Sequence, residues 1–91
     1  MKYNPLTLNK LEKIINEAQY VLRFERGNFQ SGYCILEKRK IIVLNKFLSV
    51  EGRINTLIDL IPQLSVNLDL LTYDSQKMYE ELMKKSSAEA S

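Results

Sequence analysis

The fold of this chain is decided by the stretch Tyr33-Cys34-Ile35-Leu36-Glu37-Lys38-Arg39-Lys40-Ile41-Ile42-Val43-Leu44. Its two apolar runs are separated by Lys38-Arg39-Lys40, which is long enough only for a tight hairpin turn. The second run is apolar on both faces and largely β-branched, as in a strand that is covered on both sides. The stretch therefore predicts a β-hairpin with residues 41–44 as the most buried strand.

Upstream of the hairpin, the sequence predicts one helix and a further strand. Apolar residues recur every three or four positions over about residues 5–19, as on the buried face of a helix. Asn4 followed by Pro5 is typical of a helix start, because asparagine caps free N–H groups and proline at the first position gives up no hydrogen bond. Between Tyr20 and Glu25 the period changes to two, which is typical of a strand with one wet face.

Downstream of the hairpin, the sequence predicts two more helices. Ser49 with Glu51 behind it is typical of a helix start, and Pro62 is expected to stop or kink that helix. The partly alternating residues 65–71 leave strand and irregular packing equally open. Asp74 is placed to cap a short last helix that runs to about Lys85.

These elements predict an α+β fold with an N-terminal helix, a three-stranded antiparallel meander sheet, a second helix packed on the same face of the sheet, and a short C-terminal helix. We expect one domain over residues 1–85 and a flexible tail over residues 86–91, which have little to bury. The uncovered sheet face is expected to carry Arg23, Glu25 and Glu37. So short a sheet is suited to pair this face or an edge strand with a second copy of the chain.

Composition excludes several classes of function. The 91 residues include 13 Lys and Arg against 11 Asp and Glu, and the net charge of +2 is too small to indicate nucleic acid or an anionic membrane by itself. The chain contains no histidine, which excludes Ser-His-Asp and Cys-His nucleophiles and a His-ligated zinc.

The cellular address follows from two further observations. Cys34 is the only cysteine, so no intramolecular disulfide can form, and this fits a reducing compartment. The apolar stretches are too short for a membrane span and too interrupted for a signal peptide. We expect a cytoplasmic protein, with Cys34 packed as a small apolar residue.

Basic residues form the candidate contact site. The residues are Lys38, Arg39 and Lys40 at the hairpin turn, joined by Lys46 and Arg53. In one interpretation they contact a protein partner or the phosphates of RNA or DNA. In the plainer interpretation they form a solvated turn that keeps the strands soluble.

The aromatic residues near these cations also allow two interpretations. Phe29, Tyr33 and Phe47 are candidate stacking platforms for nucleic-acid bases. Aromatic residues near strands more often belong to the core, and this is the interpretation that we favour for them.

One part of the chain resembles a known enzyme family. The runs Lys40-Ile41-Ile42-Val43-Leu44-Asn45-Lys46-Phe47-Leu48-Ser49 and Arg53-Ile54-Asn55-Thr56-Leu57-Ile58-Asp59-Leu60-Ile61-Pro62 resemble the strand, loop and helix of ImmA/IrrE-type metallopeptidases, which are minimal zincins. The resemblance in outline covers about residues 6–64. It places Ile58, Asp59 and Pro62 where that family has His, Glu and His, so it implies a relative without the zinc site. The chain also looks like a group of short bacterial proteins.

The sequence thus predicts a protein that is not an enzyme and that has no cofactor and no metal. We expect a protein-interaction or oligomerisation module, as a homo-oligomer or with a protein partner and without a membrane. The alternative is a nucleic-acid-associated module that uses the Lys38-Arg39-Lys40 turn. An enzyme that relies on carboxylates, Lys or Tyr has no support from the spacing of these residues.

Overall fold

A computed structural model describes residues 2–26, 33–36 and 39–90, with the side chains of residues 33–36 and 86–90 left aside. The described residues form one helix, then three strands, then two further helices, in an α+β arrangement. In chain order the elements are α1 (Pro5–Glu17), β1 (Val21–Glu25), β2 (Tyr33–Leu36), β3 (Ile41–Asn45), α2 (Val50–Leu60) and α3 (Tyr73–Ala90). Short 3-10 turns lie at Ile61–Gln63 and Leu68–Leu70.

The sheet is not the antiparallel meander that the sequence predicts. Its strand order is β1-β3-β2, with β3 in the centre. β2 pairs with β3 in antiparallel fashion, as expected of a hairpin, but β1 pairs with β3 in parallel, Val21 beside Ile41 and Glu25 beside Asn45. The meander prediction is wrong because residues 41–44 of β3 are apolar on both faces and take the covered central position, which leaves β1 and β2 at the two edges.

The starts of α1 and α2 agree with the capping residues in the sequence, whereas α3 begins at Tyr73, so that Asp74 lies in its first turn and is not its cap. The Asn4 side chain accepts a hydrogen bond from the N–H of Thr7 at 2.9 Å, with Pro5 at the first helical position of α1. The Ser49 hydroxyl accepts one from the N–H of Gly52 at 3.1 Å and begins α2. α2 gives way at Ile61 to the turn that contains Pro62, so its end also lies close to the predicted position.

The core lies between the three helices and one face of the sheet. α1, α2 and α3 bury apolar side chains against Tyr20, Ile42 and Leu44, and Leu22 packs at the margin. The fully buried large side chains are Leu11, Ile14, Ile15, Ile42, Leu44, Ile54, Leu57, Leu60, Ile61 and Leu82. Val43 points to the opposite face of β3 and is buried as well, which agrees with the predicted burial of both faces of this strand.

Residues 65–71 are irregular apart from the turn Leu68–Leu70, which settles a point that the sequence leaves open. α3 is longer than predicted, with 18 residues to Ala90 instead of an end near Lys85. The single-domain prediction over residues 1–85 with a flexible tail stays a prediction.

A carboxylate at the end of α1 holds the start of α3. Glu17 accepts hydrogen bonds from the backbone N–H of Thr72 at 2.7 Å and from the Thr72 hydroxyl at 3.2 Å. Burial raises the pKa of Glu17, but the bonds from Thr72 and Ser75 and the charge of Lys13 outweigh it, so its pKa lies below the ordinary 4.5. The ionised side chain thus replaces the missing helical partner of a free N–H at the α3 start.

None of the helices in the part of the chain that is described is both long enough and apolar enough to cross a bilayer.

Candidate interaction surface

The structure does not bring the four described candidate cations together. Arg39 and Lys40 precede β3 and Lys46 follows it, so the two ends are about 20 Å apart along an extended strand. Lys40 lies over the ring of Tyr20, with 5.7 Å from its Nζ to the centroid, whereas Lys46 lies over Phe47. Lys38 lies outside the described residues. Contacts of these residues with a partner stay a prediction.

Lys46 and Arg53 instead belong to a different cluster, which we call the aromatic–cation patch. Its members are Phe24, Arg26, Lys46, Phe47 and Arg53. β1 and β3 are parallel, so their carboxyl ends meet at one edge of the sheet, and the residues that follow them lie side by side. The first turn of α2 adds Arg53.

Arg53 is fixed in place by three interactions. Its Nε donates to the carbonyl oxygen of Leu48 at 3.1 Å, and its Nη2 donates to the carbonyl oxygen of Lys46 at 3.2 Å. The guanidinium carbon lies 4.5 Å from the ring centroid of Phe24, within the range of a cation–π contact. Arg53 therefore ties the loop after β3 to the end of β1.

Phe47 is the most exposed large apolar side chain of the described residues, at 70%. Its N–H donates to the Asn45 side-chain oxygen at 3.0 Å, which fixes the turn after β3. The guanidinium carbon of Arg26 and the Nζ of Lys46 each lie 5.7 Å from the centroid of its ring. Our preferred placement of Phe47 in the core is wrong, because the chain leaves the sheet at Asn45 before Phe47 can turn inward. Phe29 and the side chains of Tyr33 and Cys34 lie outside the described part.

The edge of β1 is the second feature of this surface. The backbone N–H of Val21 donates to the carbonyl oxygen of Lys40 at 2.7 Å, and the carbonyl oxygen of Glu25 accepts from the backbone N–H of Lys46 at 3.0 Å. In a parallel pair, alternate residues direct their N–H and C=O to the same neighbour. Leu22 and Phe24 therefore direct theirs to the other edge of β1, where the described residues supply no further strand.

Charged side chains line the sheet face opposite the core. Arg23 and Glu25 form an ion pair there, with 3.1 Å from Nη2 to Oε1, and about half of each side chain is exposed. Val21 on the same face is 52% exposed. The predicted wet face is thus correctly identified for Arg23 and Glu25, whereas Glu37 lies outside the described residues.

Sequence reasoning missed two members of the aromatic–cation patch. Phe24 has the alternation of a core residue, and Arg26 follows the predicted strand with no cation next to it in the sequence. The signal that identifies them is the parallel pairing of β1 with β3, which a single sequence does not display. In the predicted meander β2 would lie between β1 and β3, so the residues after these two strands would be roughly 10 Å apart instead of on neighbouring strands.

The described residues contain no group of three His, Cys, Asp or Glu side chains placed to hold a metal ion. Ile58 packs against the core, Asp59 is exposed, and Pro62 lies in the 3-10 turn. A groove of about 440 Å³ between α1 and α3 is lined by Lys10, Lys13, Asp74, Ser75, Lys77, Met78 and Glu81. Its charges have both signs and select no ligand class.

Comparisons with known proteins give no relative for this chain. No protein-family model matches it, and neither a curated protein nor a solved structure does. The resemblance to ImmA/IrrE-type metallopeptidases therefore stays a prediction.

Proposed function

We propose that this protein is a non-enzymatic interaction module that self-associates through the open edge of β1. The observation that supports the proposal is the direction of the Leu22 and Phe24 backbone groups, which have no neighbouring strand among the described residues. An unpaired strand edge is a template for a further strand, and a second copy supplies one of the same length and twist.

The side chains of β1 select a register for such a dimer. In an antiparallel pair with Phe24 opposite Phe24 of the second copy, Leu22 lies opposite Arg26 and Arg23 lies opposite Glu25. This register forms about six backbone hydrogen bonds and two complementary charge pairs. In the next register, Arg23 lies opposite Arg23 of the second copy, and these like charges destabilise the pair.

The test is a charge exchange on β1, followed by size-exclusion chromatography with light scattering over a range of concentrations. We expect a dimer for the unmodified chain. Arg23→Glu weakens the dimer about tenfold or more, because two attractive pairs become repulsive. The double variant Arg23→Glu/Glu25→Arg restores the pairing with its charges exchanged.

The matched control is Lys84→Glu, the same charge change on the exposed side of α3. It leaves the dimer unchanged. A strictly monomeric unmodified chain at high concentration contradicts the proposal. So does a single Arg23→Glu variant that dimerises as well as the unmodified chain.

We also assign the protein to the cytoplasm. The support for this address is its single cysteine, which suits a reducing compartment. Fractionation of the native host with an antibody to this chain tests it, and recovery in a membrane or secreted fraction contradicts it.

A further inference from the structure

We infer that the aromatic–cation patch docks a short acidic segment of a partner protein, with one apolar side chain of that segment packed against Phe47. The site shares Phe24 and Arg26 with the β1 edge, whereas Lys46 and Phe47 follow the central strand and Arg53 lies in α2, outside the segment that pairs in the proposed dimer. It therefore adds a second kind of partner to the proposed self-association.

Charge is the first reason for an acidic partner. The described residues form two ion pairs, Lys13 with Glu17 and Arg23 with Glu25, and neither includes a member of the patch. Arg26, Lys46 and Arg53 thus present three positive charges with no carboxylate within 4.0 Å in the described part of the chain. Carboxylates of a partner complete these contacts with charge-assisted hydrogen bonds.

Exposed apolar surface is the second reason, and it requires an apolar anchor in the partner. Phe47 is 70% exposed, and Phe24 and Val50 are each 37% exposed. Aromatic and arginine side chains are the residues that contribute most to protein interfaces, where an apolar centre is surrounded by charges. A segment of charged residues alone leaves the Phe47 ring in water.

The charge of the chain favours protein over nucleic acid. The net charge of +2 is too small to indicate nucleic acid by itself, and a short segment with few carboxylates needs only the local cations of the patch. A second copy does not fill the patch, because a symmetric contact through Lys46, Phe47 and Arg53 places cations against cations.

The experiment titrates the whole chain into a fluorescent synthetic peptide with one phenylalanine between runs of aspartate. Fluorescence polarisation measures binding, with three comparison probes: the same peptide with alanine for phenylalanine, the same peptide with lysine for aspartate, and single-stranded oligo-dT. We expect the first peptide to bind, the alanine peptide to bind about tenfold more weakly, and the lysine peptide and oligo-dT not to bind. Added salt weakens the complex.

Protein variants locate the site. Phe47→Ala and Lys46→Glu each weaken peptide binding about tenfold or more. The matched control is Tyr73→Ala, which removes an equally exposed aromatic ring, 69%, with Lys77 at 4.7 Å from its centroid. Because Phe47, Lys46 and Tyr73 are exposed, the variants fold, and circular dichroism checks this.

Several outcomes overturn the inference: no binding of the acidic phenylalanine peptide, equal effects of Phe47→Ala and Tyr73→Ala, or tighter binding of oligo-dT, which indicates a nucleic-acid site. The Arg23→Glu variant separates this inference from the proposed self-association. It binds the peptide as the unmodified chain does, whatever its oligomeric state.

Discussion

Gln19 and Lys40 hold a backbone conformation that favours glycine, with φ angles of 68° and 51°. At Gln19 this conformation ends α1. The N–H of Gln19 donates to the carbonyl oxygen of Asn16, and the N–H of Tyr20 donates to the carbonyl oxygen of Ile15. These bonds satisfy carbonyls at the end of the helix and direct Tyr20 into the core.

We predict that Gln19→Gly stabilises the protein. A side chain at positive φ costs about 1–2 kcal/mol, and glycine removes this cost. Part of the gain is offset because glycine gives the unfolded chain more conformational freedom, which is lost on folding. The expected increase in the free energy of unfolding is about 0.5–1 kcal/mol, measured by urea denaturation.

The control for this substitution is Asn16→Gly, at an exposed position inside α1. It lowers the free energy of unfolding by a few tenths of a kcal/mol or more, because glycine is a poor helix former. A lower stability of Gln19→Gly contradicts the role of the positive φ.

Capping shows which features at this scale a sequence reveals. Asn4 and Ser49 are predictable because their side chains bond to N–H groups three residues away. The conformation of Gln19 is not predictable, because glutamine has no preference for positive φ. Only the packing of Tyr20 beyond it requires that turn.

Among the elements, α1 and α3 are held together by Glu17 and Thr72, which are 55 positions apart in the chain. We predict that Glu17→Gln lowers the free energy of unfolding by about 1–2 kcal/mol at neutral pH, because hydrogen bonds to a charged group are strong. Urea denaturation at a series of pH values measures the difference.

The difference in the free energy of unfolding between the unmodified chain and Glu17→Gln is larger at neutral pH than at acidic pH. The pKa of Glu17 is lower in the folded protein than its ordinary 4.5, so its contribution is complete above pH 4.5. It is lost as the pH falls below 4.5 and through the lowered pKa of the folded state. The same substitution at exposed Glu80 changes little, and a pH-independent difference contradicts the role of the Glu17 charge.

The existence of most elements was predictable, but their pairing was not. Alternation in residues 20–25 indicates a strand and says nothing about its neighbour. Consecutive strands usually pair with each other, so the meander was the natural expectation. The apolar sequence of β3 in fact places it between β1 and β2.

For the whole molecule, the proposed dimer predicts a concentration-dependent melting temperature. Each tenfold increase in concentration stabilises the folded dimer by about 0.7 kcal/mol per chain, which corresponds to roughly 3–6 °C. Differential scanning fluorimetry measures the shift. Because its dimer is weaker, the Arg23→Glu variant needs a concentration about tenfold higher or more to reach the same stabilisation. A constant temperature for the unmodified chain contradicts the dimer.

The interaction surface was predictable only in part for the same reason as the sheet. Lys46 and Arg53 stand out as charges near a predicted turn and helix start. Their partners Phe24 and Arg26 come from a strand that is about 20 positions earlier, and they join the patch only through the parallel pairing of β1 with β3.

The central position of β3 also has a consequence for synthesis on the ribosome. Both edge strands are translated before the only strand with which either pairs in the described part of the chain. While the part of the nascent chain outside the exit tunnel ends near residue 40, it holds two strand segments without a template. The sheet assembles in one step once Asn45 has left the tunnel. Protection of the nascent chain from proteolysis therefore rises sharply at the chain length that brings Asn45 out of the tunnel, and it does not rise one strand at a time.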